Sequence, residues 1–207
     1  MKWSTTDLGE LEQRYRANLI NSVGGFKCLH LVGTQSEKGN LNLSLFSSYF
    51  HLGADPALFG IVVRPNEMTE NTLGNILQTG YFTLNHVTPE IYIPAHQCSA
   101  KYPAGVSEFE RVGLHPEFKP EIPAPFVQES SVKLGCSFVE KINMGINGTT
   151  IIVGKIIYIE APDEVVLSDG SIQLGLANTV TCNGLDTYHT TQPLGKLPYA
   201  KVDKPLV

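Results

Sequence analysis

The chain is short of charge and has no paired cysteines. Charged side chains make up only 17% of its 207 residues, below the roughly 25% usual for soluble domains. A surface with few charges is often covered by a partner subunit or a second copy of the chain. A loop-rich domain would show a similar composition, and this chain carries 19 Gly and 13 Pro. The formal net charge of −5 argues against general nucleic-acid binding, which needs clustered Lys and Arg. The four cysteines (Cys28, Cys98, Cys136, Cys182) form no C-x-x-C pair, so a zinc knuckle lacks its ligands. Cys28 and Cys136 lie in apolar, strand-like runs and read as buried, reduced packing residues. No apolar run reaches the ~18 residues of a membrane span, and Met1–Asp7 has no apolar signal core. A cytoplasmic chain is therefore expected, with no membrane and no nucleic acid as partner.

Catalytic signatures are equally scarce. There is no G-x-S-x-G elbow, no H-E-x-x-H and no P-loop. The six histidines (His30, His51, His86, His96, His115, His189) are scattered, and none pairs with another at metal-ligand spacing. His96 and Cys98 stand two residues apart, which alone is not a site. No catalytic side chain and no metal ligand is assigned.

What is present is a sequence of strands. Phe26–Thr34 reads as a strand ending near Gly33. After the polar turn Ser36–Asn40, Leu41–Ser48 alternates, with Leu41, Leu43 and Leu45 on one face and Asn42, Ser44 and Phe46 on the other. Period-two alternation marks a half-buried strand, and the pair makes a hairpin. Asp55-Pro56 interrupts the chain, and Ala57–Val63 is a continuous apolar run suited to a strand buried on both faces. A helix follows, with Asn71 as N-cap, Leu73, Ile76 and Leu77 as its apolar stripe, and Gly80 as its stop. Tyr81–Val87 is another strand. Thr88-Pro89 resembles a further helix start, and Ser107–Val112 a short helical turn ended by Gly113. Pro116–Pro125, with four prolines, is expected to be an extended loop. Val132–Asn143 and Thr149–Glu160 are long strands joined at Gly145–Gly148.

About six strands with two or three short helices imply one mainly-β domain over residues 1–207. Residues 1–23 form an N-terminal arm and 171–207 a C-terminal extension. The sheet should be antiparallel and nearly closed, since a barrel removes exposed edges.

One stretch carries chemistry. Ser44, Ser47 and Ser48 lead into an irregular segment ending at Asp55-Pro56. Arg64 stands just before the helix start Thr69-Glu70-Asn71-Thr72. Arg is a bidentate phosphate ligand, and a helix N-terminus favours an anion. The same pieces also occur as an ordinary Ser-rich strand and an ordinary capped helix.

The order of these pieces adds information. Gly39-Asn40-Leu41-Asn42, Phe46-Ser47, Asp55-Pro56, Asn71-Thr72-Leu73-Gly74-Asn75-Ile76 and Thr79–Asn85 follow one another. Ser107-Glu108-Phe109-Glu110, Gly113-Leu114 and the two long strands come after them. Over residues 24–170 this succession resembles the flavin reductase-like proteins, which are FMN-binding split barrels. The resemblance implies an antiparallel, Greek-key-like split β-barrel that binds FMN as a homodimer. It implies flavin contacts at Ser47, Ser48 and Tyr49, phosphate contacts at Arg64 and Thr72, and assistance from Thr69 and Asn71. It also puts His96 and Cys98 on the segment facing the acceptor pocket. Many relatives have Pro-Pro where this chain has Pro56-Ala57, and a small residue near Tyr49 and Phe50. Gly184–Thr190 matches no general signature of the family.

The activity implied is NAD(P)H-dependent flavin reduction, with hydride passing through the flavin N5 to an acceptor flavin or a redox partner. The alternatives are a non-enzymatic, flavoredoxin-like FMN electron carrier and a barrel that binds no flavin. A pyridoxamine-phosphate oxidase relative ranks lower, because no basic set for a second phosphate is evident.

Overall fold

The computed structural model describes residues 1–65, 71–103 and 105–203. The N-terminal arm is two helices, α1 (Thr5–Glu10) and α2 (Gln13–Val23), each started by a side-chain cap, Ser4 and Glu12. Then come β1 (Lys27–Cys28), β2 (His30–Gln35), β3 (Leu41–Phe46), β4 (Tyr49–Ala54) and β5 (Ala57–Val63). α3 (Thr72–Thr79), β6 (Tyr81–His86), α4 (Tyr92–Gln97) and α5 (Glu108–Val112) follow. β7 (Pro116–Lys119), β8 (Ile122–Val127), β9 (Lys133–Asn143) and β10 (Thr150–Glu160) complete the main body. A 3-10 turn (Asp163–Val165), β11 (Thr181–Asn183) and β12 (Thr187–His189) are the last regular elements. Among the described residues no helix is long and apolar enough to cross a membrane.

Seven strands form one antiparallel sheet in the order β3-β2-β6-β9-β10-β5-β4. Its outermost strands, β3 and β4, are joined by Ser47 and Ser48 alone. In a flat sheet the two edges would lie ~29 Å apart, at ~4.8 Å per strand. The three Cα steps from Phe46 to Tyr49 span at most ~11 Å. The sheet must therefore curl until its edges nearly meet, leaving a split at Ser47-Ser48. This is the split barrel, and the chain's fold is mainly β, as expected.

One core lies against the inner face, with Val32, Ile61, Phe82, Leu84, Cys136 and Ile152 around Ile76 of α3. A second packs Leu31, Leu43, Ala95, Cys98 and Phe109 between the sheet and helices α4 and α5. β2 feeds both cores, which is why five of its six residues are buried. Each fully buried large aliphatic or aromatic side chain contributes ~1.5–3 kcal/mol.

Several expectations need correction. The proline-rich segment 116–125 is not a loop. It forms the β7–β8 hairpin, with Pro116 opposite Val127 and Lys119 opposite Ile122. Proline only deletes a donor, and a two-stranded edge ribbon tolerates that loss. Lys133 and Lys119 tie this hairpin to the main sheet through Glu117 and Glu160. The helix expected to start at Thr88 begins at Tyr92, because Thr88–Ile91 is spent on a turn closed by the Ile91 N–H and Thr88 carbonyl. Cys28 is exposed; Cys136 is buried as expected, and all four thiols are free. The strands also outnumber six. The segment before Asp55-Pro56, expected to be irregular, is β4, and the proline-rich segment gives β7 and β8. β1 pairs with β11, and β11 with β12 of the C-terminal extension, in a separate three-stranded sheet.

His86 and His30 sit opposite each other on β6 and β2, their rings edge to face at 4.8 Å. His86 Nδ1 hydrogen-bonds Thr179 Oγ1 at 3.0 Å. Burial lowers its pKa from 6.5 to about 4, and burial, with His86 beside it, lowers that of His30 as well. Between pH 6.5 and 4 the unfolded chain therefore binds more protons than the folded one. The stability contributed by neutral imidazole is complete above pH ~6.5 and is lost as pH falls toward ~4. For His86 alone the loss is on the order of 3 kcal/mol. Melting curves between pH 7 and pH 4.5 should show it, with a shallower slope in His86→Gln. A variant slope equal to the wild type's would contradict the assignment.

Candidate flavin site

A cleft of about 930 Å³ runs from the barrel split along β3 to the C-terminal sheet. One end is built by β3, the end of β5 and the start of α3. Asn71 caps α3, accepting the Gly74 N–H at 2.9 Å from an extended backbone. The first turn of a helix offers N–H groups that no intrahelical carbonyl can take, and it carries the positive end of the dipole. Thr72, 5% exposed, is the first helical residue. Its Oγ1 accepts a hydrogen bond from the Asn42 amide at 3.1 Å, and the same Nδ2 lies 3.5 Å from Ser44 Oγ. β3's alternation places Asn42 and Ser44 together on the face toward α3, with Leu43 on the other. Asn75, one turn along, donates to Thr34 Oγ1 at 3.0 Å, while its buried Oδ1 has no partner among the described residues.

Arg64 is exposed at the end of β5 and reaches the same end of the cleft. Ser48 fixes that strand end. Its hydroxyl donates to the Val62 carbonyl at 2.9 Å, and its own carbonyl accepts the Val62 N–H at 3.0 Å.

The other end is lined by Lys27, residues 98–103, and Leu185 and Asp186 of the C-terminal sheet. Lys27, Arg64 and Lys101 face the cleft against the acids Glu108 and Asp186. Three cations against two acids leave the cleft slightly positive in a chain of net charge −5, a balance that favours an anion there. Glu108 is buried and accepts the Leu43 N–H at 2.9 Å, capping the open edge of β3. Burial raises its carboxyl pKa. Among the described residues no group of three or more His, Cys, Asp or Glu is placed to hold a metal ion.

The sequence profile of the flavin reductase like domain matches residues 27–174. The chain belongs to the flavin reductase-like family. A provisionally named flavin reductase with a split barrel domain, from Shewanella frigidimarina, is 46% identical; the match covers 97% of this chain and 100% of that one, with a TM-score of 0.93. Nitrilotriacetate monooxygenase component B of Bacillus cereus shares the fold at 17% identity, covering 95% and 98% of the two chains, with a TM-score of 0.83. An FMN-binding protein of Thermus thermophilus does so at 16% identity, covering 84% and 91%, with a TM-score of 0.70. The family profile stops before β11 and β12, so the Leu185–Asp186 wall of the cleft lies outside it.

In this flavin reductase-like chain, the structure brings Ser47, Ser48, Arg64, Asn71, Thr72, His96 and Cys98 to one cleft. Tyr49 is elsewhere. Its ring stacks on Phe59 at 4.8 Å and lies 4.2 Å from His30, half-buried against the inner core. β4 begins at Tyr49, and the alternation of that strand turns the ring toward the barrel. Thr69 lies outside the described residues. His96 bonds Tyr188 OH through Nδ1 at 2.7 Å, so it tethers α4 to the C-terminal sheet. Burial pushes the Tyr188 hydroxyl up to about 12. The Cys98 thiol is likewise pushed up to about 12, by burial first and by Glu108 second. It stays protonated at neutral pH and offers no thiolate nucleophile. Asn42, Asn75 and Glu108 appeared in the sequence only as parts of the family-like succession and were assigned no role. Their roles become visible when β2, β3, α3 and α5 are packed together.

Proposed function

We propose that the cleft binds FMN, with its phosphate at the Arg64–Thr72 end, and that the chain acts as an NAD(P)H-dependent flavin reductase. The observation that carries this reading is the convergence of Arg64, the Asn42-bonded hydroxyl of Thr72 and the capped start of α3 on one end of a cationic cleft. The residues present fit the group. A guanidinium, hydroxyls and backbone N–H groups are the donors that recognise a phosphate monoester, and the cleft has room for a ring system beyond them.

When bound, FMN would supply the hydride chemistry. The chain's own task is to bind, orient and shield. Arg64 neutralises charge at one end, and Ser48 holds the β5 terminus that carries it. Glu108 seals the β3 edge. Lys27 and Lys101 at the other end favour an anionic second substrate such as a nicotinamide dinucleotide. No side chain here needs to transfer a proton, which accords with the protonated Cys98 and the tethered His96. Anaerobic stopped-flow mixing of the yellow protein with NADH and with NADPH tests the activity. Bleaching within seconds is expected with at least one of them. Bound flavin that neither reduces would mark the chain as an electron carrier instead.

The same reading includes a homodimer. Val139, Ile142, Met144 and Ile146 are exposed at the free end of the β9–β10 hairpin. Thr149 of that hairpin lines the cleft beside Arg64. A second copy seated on this apolar end would cover the phosphate end of the site. Light scattering of the FMN-loaded protein at micromolar concentration should give twice the chain mass. A monomer that keeps its FMN would contradict this arrangement.

A further inference from the structure

We infer that Asn42 is a positioning residue that sets the direction of the hydroxyl hydrogen bonds at the anion end of the cleft, and through them the preference for a phosphorylated flavin. The inference rests on the FMN reading above. A carboxamide nitrogen carries two N–H donors and accepts nothing. Asn42 Nδ2 faces two hydroxyl oxygens at once, Thr72 Oγ1 at 3.1 Å and Ser44 Oγ at 3.5 Å. A hydroxyl that accepts from an amide keeps its own proton for another acceptor. Thr72 opens α3 behind the extended N-cap Asn71, so its own helix has no earlier turn to take that proton. Among the described residues no hydrogen bond takes it, and the hydroxyl's donor capacity is left for an acceptor in the cleft.

The direction matters because phosphate oxygens, when ionised, only accept. Without the Asn42 amide, the Thr72 hydroxyl can turn and present a lone pair to the anion, which is repulsive. The amide removes that orientation before any ligand arrives. A hydroxyl-terminated ligand such as riboflavin can donate as well as accept, so it is indifferent to the direction. Asn42 thus acts on selectivity for a phosphate monoester and not on the grip of the cleft for the ring system. Its place in β3, opposite Thr34 of β2, gives it a fixed stance, and Leu43 beside it is held by the Glu108 carboxylate at 2.9 Å.

A double-mutant cycle tests this. FMN and riboflavin are titrated into wild type, Asn42→Ala, Thr72→Val and the double variant, with melting temperatures taken for each. Each single variant is expected to lose roughly tenfold in FMN affinity, one hydrogen bond to a charged group. The double variant should lose little more than Thr72→Val alone, because Asn42 works through that hydroxyl. Riboflavin affinity should stay within about twofold throughout, a pattern that a merely structural role for Asn42 would not produce. Losses that multiply, or Asn42→Ala with wild-type FMN affinity, would overturn the inference. Should Asn42→Ala melt below the assay temperature, Asn42→Asp replaces it. The carboxylate keeps the shape and draws both hydroxyl protons away from the cleft, so its loss for FMN should exceed tenfold, and retained affinity would overturn the inference. Wild-type protein that binds riboflavin as tightly as FMN would instead refute the phosphate reading, and the inference with it.

Discussion

Arg64→Ala is expected to weaken FMN binding by about 1.5–3 kcal/mol, the scale of a charge-assisted hydrogen bond, or roughly 10- to 150-fold in Kd. Riboflavin should bind the variant and the wild type alike. The effect is expected to be large because Arg64 does not sit on a free loop. It follows directly on β5, whose last residue, Val63, pairs with Thr150 of β10, and whose Val62 is clamped by both the hydroxyl and the carbonyl of Ser48. The guanidinium is thus delivered from a rigid strand end to the mouth of the cleft. Arg64→Lys should recover only part of the loss, since an ammonium cannot make the two parallel hydrogen bonds of a guanidinium. Fluorescence titration reads all three values. An Arg64→Ala protein with wild-type affinity for FMN would show that the phosphate lies elsewhere.

Gly33→Ala should destabilise the fold by about 3 kcal/mol or more, the upper end for overpacking, because the obstructing atoms are backbone and a committed hydroxyl. A Cβ on Gly33 would meet the Pro125 carbonyl oxygen at 2.1 Å and Thr83 Oγ1 at 2.6 Å. Those two atoms are themselves hydrogen-bonded at 2.6 Å. The Asn85 amide extends the same buried cluster, donating to Thr83 Oγ1 and to the Leu31 carbonyl and accepting the Val127 N–H, each at 2.9 Å. Inserting a methyl group pries the β7–β8 hairpin off the barrel and orphans several buried polar groups. For a chain of this size the melting temperature should fall by roughly 6–12 °C. A variant melting within 2 °C of wild type would show that the hairpin can shift to accommodate the methyl.

These two residues also show what the sequence could and could not reveal. The place of Arg64 at the cleft was legible because it is set locally, by a cation just ahead of a cap-and-helix pattern. Asn71, Gly80 and the long β9–β10 hairpin were legible for the same reason. Gly33 was read only as a strand end. Its real constraint is the close approach of Pro125, some ninety residues later, and strand periodicity carries no information about what crosses over a strand. The prolines of 116–125 misled in the same way, since their local meaning is loop and the tertiary setting makes them an edge ribbon. The family resemblance put Tyr49 beside the flavin together with Ser47 and Ser48. Those serines lie at the barrel split, and β4, which begins after them, turns the ring toward Phe59 and His30. Glu108 was recognised as part of a pattern but had no role until α5 was seen to cap the open edge of β3. In general, features set by one element or by a hairpin of neighbouring strands were readable, and those set by elements distant in sequence were not.

The central claim is that the cleft between β3, α3 and the C-terminal sheet is an FMN site. The most direct test is the absorbance spectrum of the purified protein, followed by titration of the flavin-free chain with FMN. The account predicts a yellow protein, or a colourless one that takes up one FMN per chain, with FMN bound at least tenfold more tightly than riboflavin. A colourless chain that takes up no FMN would contradict it.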